Sequence, residues 1–228
     1  MRQPHPIEAE SYRILRRLVD LSGLGPLGRA VVERVVHATA DPAWAADLVL
    51  DEPALRLGLQ ALRAGVPVVA DVRMTAAGVT AHEVLCAIDL AVAAGGGAPD
   101  PTGSGPPDPT RGGAPGPLGA AGDTRAAAGV WAAAARVGSG AVWVVGCAPT
   151  ALDALLALDA DPALVIGVPV GFVGAVQAKR VLAASGLPAV TNRSARGGAA
   201  VAAAALNALL YATRDAADAE TDGGRDLP

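Results

Sequence analysis

The sequence is poor in aromatic side chains, which make up 3% of its 228 residues: two tyrosines, three tryptophans and a single phenylalanine. Its core must therefore be built from small aliphatic residues packed at short distance. Lysine is scarcer still. Among 18 basic residues only Lys179 is a lysine, which reads as a compositional bias towards arginine. Two separated cysteines, Cys86 and Cys147, exclude a disulfide framework and a CxxC metal site. Three scattered histidines, His5, His37 and His82, argue against a histidine metal centre. No apolar run reaches the ~18 residues of a membrane span without a Pro, a Gly or a charge. The first residues lead into a charged helix and not into an apolar signal stretch. A soluble, cytoplasmic protein is expected. The net charge of -4 lacks the basic excess of a nucleic-acid binder.

What is present is apolar and ordered in pattern. Hydrophobic residues make up 52% of the chain, too many for disorder throughout. The length suits one large domain, and residues 1–228 are read as one. Two segments depart from the pattern. Residues 95–122 are a Gly/Pro-rich insert without apolar periodicity, expected to be a flexible, dispensable surface loop. Residues 215–228 are acidic and polar and read as a disordered tail.

Between these segments helices and strands alternate. Ile7 to Leu21 sets Ile7, Ile14, Leu15, Leu18 and Leu21 at helical spacing. A second helix opens at Pro26 and carries the stripe Val31, Val32, Val35 and Val36 up to His37. A third spans Pro53 to Ala64 and stops at Gly65. Buried strands follow at Val66–Val72, Val84–Ile88, Ala141–Val145, Leu164–Val168 and Pro188–Val190. Helices occupy Thr124–Val137, Thr150–Leu158, Gly174–Ala184 and Gly198–Tyr211. About five buried strands alternating with helices predict an α/β fold, a mostly parallel sheet with helices on both faces. Ligands of such sheets bind outside the carboxyl ends of the strands. Those ends carry Asp71 to Met74, Gly146-Cys147-Ala148, Pro169 to Gly174 and Thr191 to Gly198.

Several chemistries fail at that rim. Gly171-Phe172-Val173-Gly174 opens a helix, but no Gly-Lys-Ser/Thr follows, so it is not a Walker loop. There is no dinucleotide GxGxxG and no Gly-x-Ser-x-Gly nucleophile turn. The rim does offer helix starts at Pro149, Gly174 and Gly197 beside Arg73, Arg193 and Arg196. Such starts suit anions, and arginine suits carboxylates. A ligand with several carboxylates and a phosphorylated metabolite both fit, as does ordinary capping. His37, in the last turn of its helix, is a candidate acid, because the helix dipole favours its protonated form; a simple cap is the plainer reading.

Seven stretches in order resemble the precorrin-8X methylmutase family over nearly the whole chain. They are Ile7–Tyr12, Val35–Asp41 around His37, Ala64–Met74, Gly122–Ala128, Val144–Leu152, Pro169–Gly174, and Gly197-Gly198 leading into Val201–Leu210. The resemblance implies a flavodoxin-like three-layer fold, a homodimer, and no metal or organic cofactor. It implies an isomerase of cobalamin biosynthesis that moves a methyl group from C11 to C12 of the corrin macrocycle. The substrate would be precorrin-8X or its cobalt form, and neighbouring enzymes of that pathway would be further partners. His37 is then the general acid, Ser11 a substrate contact and Arg125 an arginine of the corrin pocket. Asp71, Met74 and Thr124 are expected beside them, with Gly171, Phe172 and Gly174 on one turn and Gly197 and Gly198 on the next. Four positions depart from the family pattern. Cys147 replaces Asn, Gln177-Ala178 replace Glu-Ser before Lys179, and Ala199 replaces Ser.

Protonating the macrocycle would make its π system cationic and ease migration, and a positioned acid is worth about 10²–10⁴ in rate. The competing reading is a non-catalytic corrinoid-binding or carrier protein of the same fold, supported by the substituted rim residues. A flavin module would want a Ser/Thr-rich loop after the first strand, which Arg73-Met74-Thr75 does not supply. A corrin is wide for one small rim, so a dimer interface is expected to help wall the pocket. The opening helix and the Ala-rich helix after Gly198 are its candidate elements.

Overall fold

A computed structural model of the chain describes residues 5–80, 82–93 and 124–222. The 95–122 insert and residues 223–228 of the tail lie outside them. Helix α1 (Pro6–Leu18) starts on a proline, and the His5 ring accepts a hydrogen bond from the amide of Ile7. Helix α2 (Pro26–Thr39) has no cap of its own. Its Leu27 and Gly28 amides instead donate to the Glu52 carboxylate, each at 3.0 Å. Glu52 opens α4 (Glu52–Arg63), so one helix caps another and sets where α2 begins. A Cβ on Gly25 would come within 2.4 Å of the Glu52 side chain, so a larger residue there would push that carboxylate off the α2 amides.

The sheet has six strands: β1 (Leu48–Leu50), β2 (Val68–Ala70), β3 (Leu85–Cys86), β4 (Val142–Val145), β5 (Leu164–Gly167) and β6 (Ala189–Asn192). Their order is β1-β6-β5-β4-β2-β3, and every neighbouring pair is parallel except β1 with β6. The five parallel strands expected from the sequence therefore appear in a flavodoxin-like order. The short antiparallel edge strand β1 was not foreseen, nor was the one-turn helix α3 (Trp44–Asp47) before it. Leu48 pairs with Asn192, so this segment reaches the sheet at the carboxyl end of β6.

Alternation along β4 divides the core in two. Val142 and Val144 join α2, α4 and α10 (Ala199–Asp222) on one face. Trp143 and Val145 join α7 (Arg125–Val137), α8 (Pro149–Leu156) and α9 (Ala175–Ala184) on the other. α6 (Ala87–Ala93) packs beside α7. Helix α10 runs to Asp222, past Tyr211 where the pattern ended it. Among the described residues no helix is long and apolar enough to cross a membrane.

Two expectations are corrected. The apolar stripe of α1 does not enter the core: only Leu15 is buried within the helix, and Ile7, Ile14 and Leu18 are 76%, 47% and 62% exposed. The helix docks on α2 through Leu15 and polar contacts, including a bidentate Arg16–Glu33 pair at 2.7 and 2.8 Å. Conversely, the alanines of α10 between residues 201 and 210 are turned into this chain and not towards a second subunit. Residues 201–210 are all buried within this chain, against α2, α4, α5 (Arg73–Gly78) and the sheet. Small side chains allow that close approach on every side.

Buried polar groups hold the turns at the carboxyl ends of the strands. Asp71, 1% exposed, follows β2 at the point where the crossovers diverge between β2 and β4. Its Oδ1 accepts from the Val72 amide at 2.9 Å and the Thr75 hydroxyl at 2.7 Å. Oδ2 accepts from the Cys147 and Ala148 amides at 2.7 and 3.0 Å. On the far side the Lys179 ammonium, also 1% exposed, donates to Asn192 Oδ1 at 2.9 Å and to the Ser194 and Arg196 carbonyls. Asp47 completes this cluster by accepting from the Arg193 and Ser194 amides, the Ser194 hydroxyl and the Asn192 amide.

Asp71→Asn should lower stability by about 1.5–3 kcal/mol, because an amide NH₂ would face donors that now share one carboxylate. An unchanged urea midpoint would refute this. Burial pulls Lys179 down to about 8, against the opposing charge of Asp47. A lysine in the unfolded chain titrates near ~10.4, so between these values the unfolded state binds the extra proton. Stability should therefore gain from this group as pH rises from 8 to about 10. Urea melts of the wild type and of Lys179→Met across that range should diverge, and parallel curves would contradict the assignment.

Candidate active site

His37 lies in the last turn of α2, whose stop is set by Ala40 at φ 52°. The Thr39 hydroxyl closes the helix end by donating to the Val35 carbonyl at 2.8 Å. The His37 ring is half-buried, with Nδ1 2.9 Å from Ser11 Oγ of α1. Among the described residues Nε2 makes no hydrogen bond, so it is the nitrogen left for a ligand. Tyr12 stacks on the imidazole with ring centroids 4.8 Å apart and planes 12° from parallel. The phenol oxygen accepts from Arg34 Nη1 at 2.9 Å, and the same nitrogen reaches Glu8 at 3.0 Å. Burial pushes the Tyr12 phenol up, so it stays neutral beside the guanidinium.

A second feature opens at the carboxyl ends of β2 and β4, a cleft of about 360 Å³ whose walls include Arg73, Met74, Asp89, Arg125 and Cys147. Arg73 is paired with Asp89 at 2.6 Å. Arg125, the first residue of α7, is exposed and has no ion-pair partner among the described residues. Thr124 caps α7 by accepting from the Ala127 amide, and its hydroxyl lies 2.8 Å from that of Thr150. The starts of α7 and α8 are thereby tied together beside Arg125. Met74 is 68% exposed at the mouth. The Cys147 thiol is pushed up by burial and by the Asp71 charge, so it is no thiolate nucleophile.

The remaining rim residues sit on two coupled turns. The Gly171 amide donates to Ala195 at 3.1 Å, and the Gly198 amide to Val168 at 3.0 Å. A Cβ on Gly197 would stand 2.1 Å from the Val168 carbonyl, so only glycine allows the two turns to meet. Gly174 caps α9 at φ 78°, a left-handed conformation suited to glycine. Phe172, between these glycines, is fully exposed, and Val173 is 65% exposed.

The structure thus brings Ser11 to His37, and gathers Met74, Arg125 and Cys147 around one cleft. His37 does not line that cleft. Asp71 lies under the rim with both oxygens occupied, since its four donors come from the chain itself. Arg193 and Arg196, expected to meet anions, are committed elsewhere: Arg193 to the Ala46 and Leu48 carbonyls, Arg196 to Asp41 and to the face of Trp44 at 4.4 Å. Arg34, Asp47 and Asn192 carry no signal in the sequence, and Tyr12 figures there only as the end of the first family stretch. Lys179 alone carried a signal there, as the single lysine where arginine is the rule. Its compact ammonium offers three donors to three oxygens, a fit that a planar guanidinium cannot make.

Known proteins resemble this chain closely. The precorrin-8X methylmutase family profile matches residues 6–95 and 117–212, leaving out most of the Gly/Pro insert. Cobalt-precorrin-8 methylmutase of Methanothermobacter thermautotrophicus is 36% identical over 93% of this chain and 95% of its own. Precorrin-8X methylmutase of Pseudomonas aeruginosa is 36% identical over 92% and 96%. The crystal structure of precorrin-8X methylmutase from Thermus thermophilus superposes with a TM-score of 0.75 at 33% identity, covering 92% of this chain and 96% of that one. Taken with the parallel sheet and the Ser11–His37 pair at the end of α2, these matches show that the chain belongs to the precorrin-8X methylmutase family.

Proposed function

We propose that this chain is a cytoplasmic, homodimeric methylmutase of cobalamin biosynthesis. It moves a methyl group from C11 to C12 of the corrin macrocycle, converting precorrin-8X to hydrogenobyrinic acid, or the cobalt form to cobyrinic acid. The observation that carries this reading is the 2.9 Å contact between Ser11 and His37, two family-motif residues that α1 and α2 bring together. In the imidazolium form Nδ1–H donates to Ser11 Oγ, and Nε2–H is the proton offered to the macrocycle. The protonated ring is cationic, the methyl group migrates to the neighbouring carbon, and His37 recovers a proton as the product forms. Substrate and product are isomers, so no redox partner enters the balance.

The rim suits the rest of such a ligand. Among the described residues Arg125 has no ion-pair partner to give up before it meets a carboxylate arm, while the exposed Met74 and Phe172 suit an apolar ring face. The separation of His37 from the Arg125 cleft supports a second copy as part of the pocket. Ile7, Ile14 and Leu18 lie on α1 with Ser11 at spacings of four, three and four residues, which makes one continuous stripe. A partner covering that exposed apolar stripe would come to rest beside the Ser11–His37 pair.

His37→Ala should abolish turnover while leaving the fold and product binding in place; isomerisation at the wild-type rate would remove His37 as the acid. Arg125→Ala should weaken the binding of hydrogenobyrinic acid by roughly tenfold or more, the value of about 1.5–3 kcal/mol for a hydrogen bond to a charged group. An unchanged dissociation constant takes Arg125 out of the pocket. Ile14→Glu combined with Leu18→Glu should convert a sedimenting dimer to monomer at micromolar concentration. A dimer that survives both substitutions buries some other face.

A further inference from the structure

We propose that Tyr12 is a positioning residue for His37, its ring fixing the imidazole plane and so the direction of Nε2. The inference rests on the reading of His37 as the proton donor, but its observations are separate. Ser11 holds the imidazole at one edge only, through Nδ1. A single edge contact leaves the ring able to swing about that bond, and Nε2 would sweep an arc. A flat contact over the face removes that freedom, and Tyr12 supplies it at 4.8 Å and 12°. Edge and face together define one orientation.

The stacking ring is itself anchored. Arg34 donates to its phenol oxygen, donates to Glu8 and lies over the Tyr211 ring at 4.5 Å. Arg34 precedes His37 by three residues on α2, and Glu8 precedes Tyr12 by four on α1, so each pair shares one helix face. The same residues that dock α1 on α2 therefore lock the Tyr12 ring over the imidazole. Leucine would fill this space without imposing a plane. Phenylalanine would keep the plane but lose the tether to Arg34.

The test compares Tyr12→Phe and Tyr12→Leu in the full chain, reading kcat, KM and the imidazole C–H proton shifts. With only three histidines in the sequence, the His37 signals can be assigned by substituting His37. The wild type should show them displaced upfield by the Tyr12 ring current. Tyr12→Leu should lose that displacement and lower kcat about 10–100-fold with KM within about twofold, the scale of a misplaced catalytic group. Tyr12→Phe should keep the displacement and most of kcat. Wild-type kcat in Tyr12→Leu overturns the proposal. So does an equal fall of kcat, KM and melting temperature in both variants, which would be packing alone. If His37→Ala still turns over, the acid reading fails and the positioning role with it; the wild-type ring-current shift would still report the stack, so this outcome stands apart from the others.

Discussion

Asp71 accepts four hydrogen bonds from two different strand ends, and the rim depends on that convergence. At the switch point the chain leaves β2 towards one face of the sheet and leaves β4 towards the other, so no ladder bond can span the gap. A buried carboxylate with four donors can. Charge-assisted bonds are stronger than neutral ones, and each donor is an amide or hydroxyl that burial would otherwise leave unsatisfied. The Asp47–Asn192–Lys179 cluster solves the same problem one end of the sheet away, with an acid, an amide and an ammonium in place of a single acid. Between them these groups fix the turns from which Met74, Cys147, Gly197 and Gly198 project.

Helix α2 is placed by a different device. Glu52 satisfies the start of α2, the valine stripe buries its middle, and the Ser11, Tyr12 and Arg34 contacts fix its end. Each interaction is modest alone, yet together they leave the position of His37 little freedom. Arginines are spent on this framework: Arg16, Arg34, Arg73, Arg193 and Arg196 all hold protein partners. Arg125 stands apart from them at the mouth of the cleft, with no ion-pair partner among the described residues.

The sequence made some of this legible and hid the rest for physical reasons. Val31, Val32, Val35 and Val36 repeat at helical spacing, and all four are buried as that spacing demands. The same periodicity in α1 gave a face without saying what covers it, and Ile7, Ile14 and Leu18 remained outside. Three-residue β1 is a strand only because β6, some 140 residues away in the chain, pairs with it; no local signal could announce that. Asp71 was placed correctly at a strand end, but a strand end does not tell whether a side chain rises to the ligand or turns beneath it. The Ser11–His37 pair spans 26 residues and was approached only through the family resemblance. The Lys179 ammonium draws two of its three acceptors from backbone carbonyls, which leave no mark on composition.

The distribution of aromatic residues sets the turn after β5 apart from the rest of the rim. In a chain with so few of them, Trp143 and Trp44 are buried in the two cores, Tyr12 and Tyr211 are engaged with Arg34 and His37, and Trp131 on α7 is 43% exposed. Phe172, the single phenylalanine, is fully exposed at the tip of the turn after β5. Such a side chain contributes nothing to folding, whereas covering it is worth about 1.5–3 kcal/mol. The glycines on either side hold Phe172 at the rim, and the proposed place of this turn against a flat apolar ring rests on that exposure.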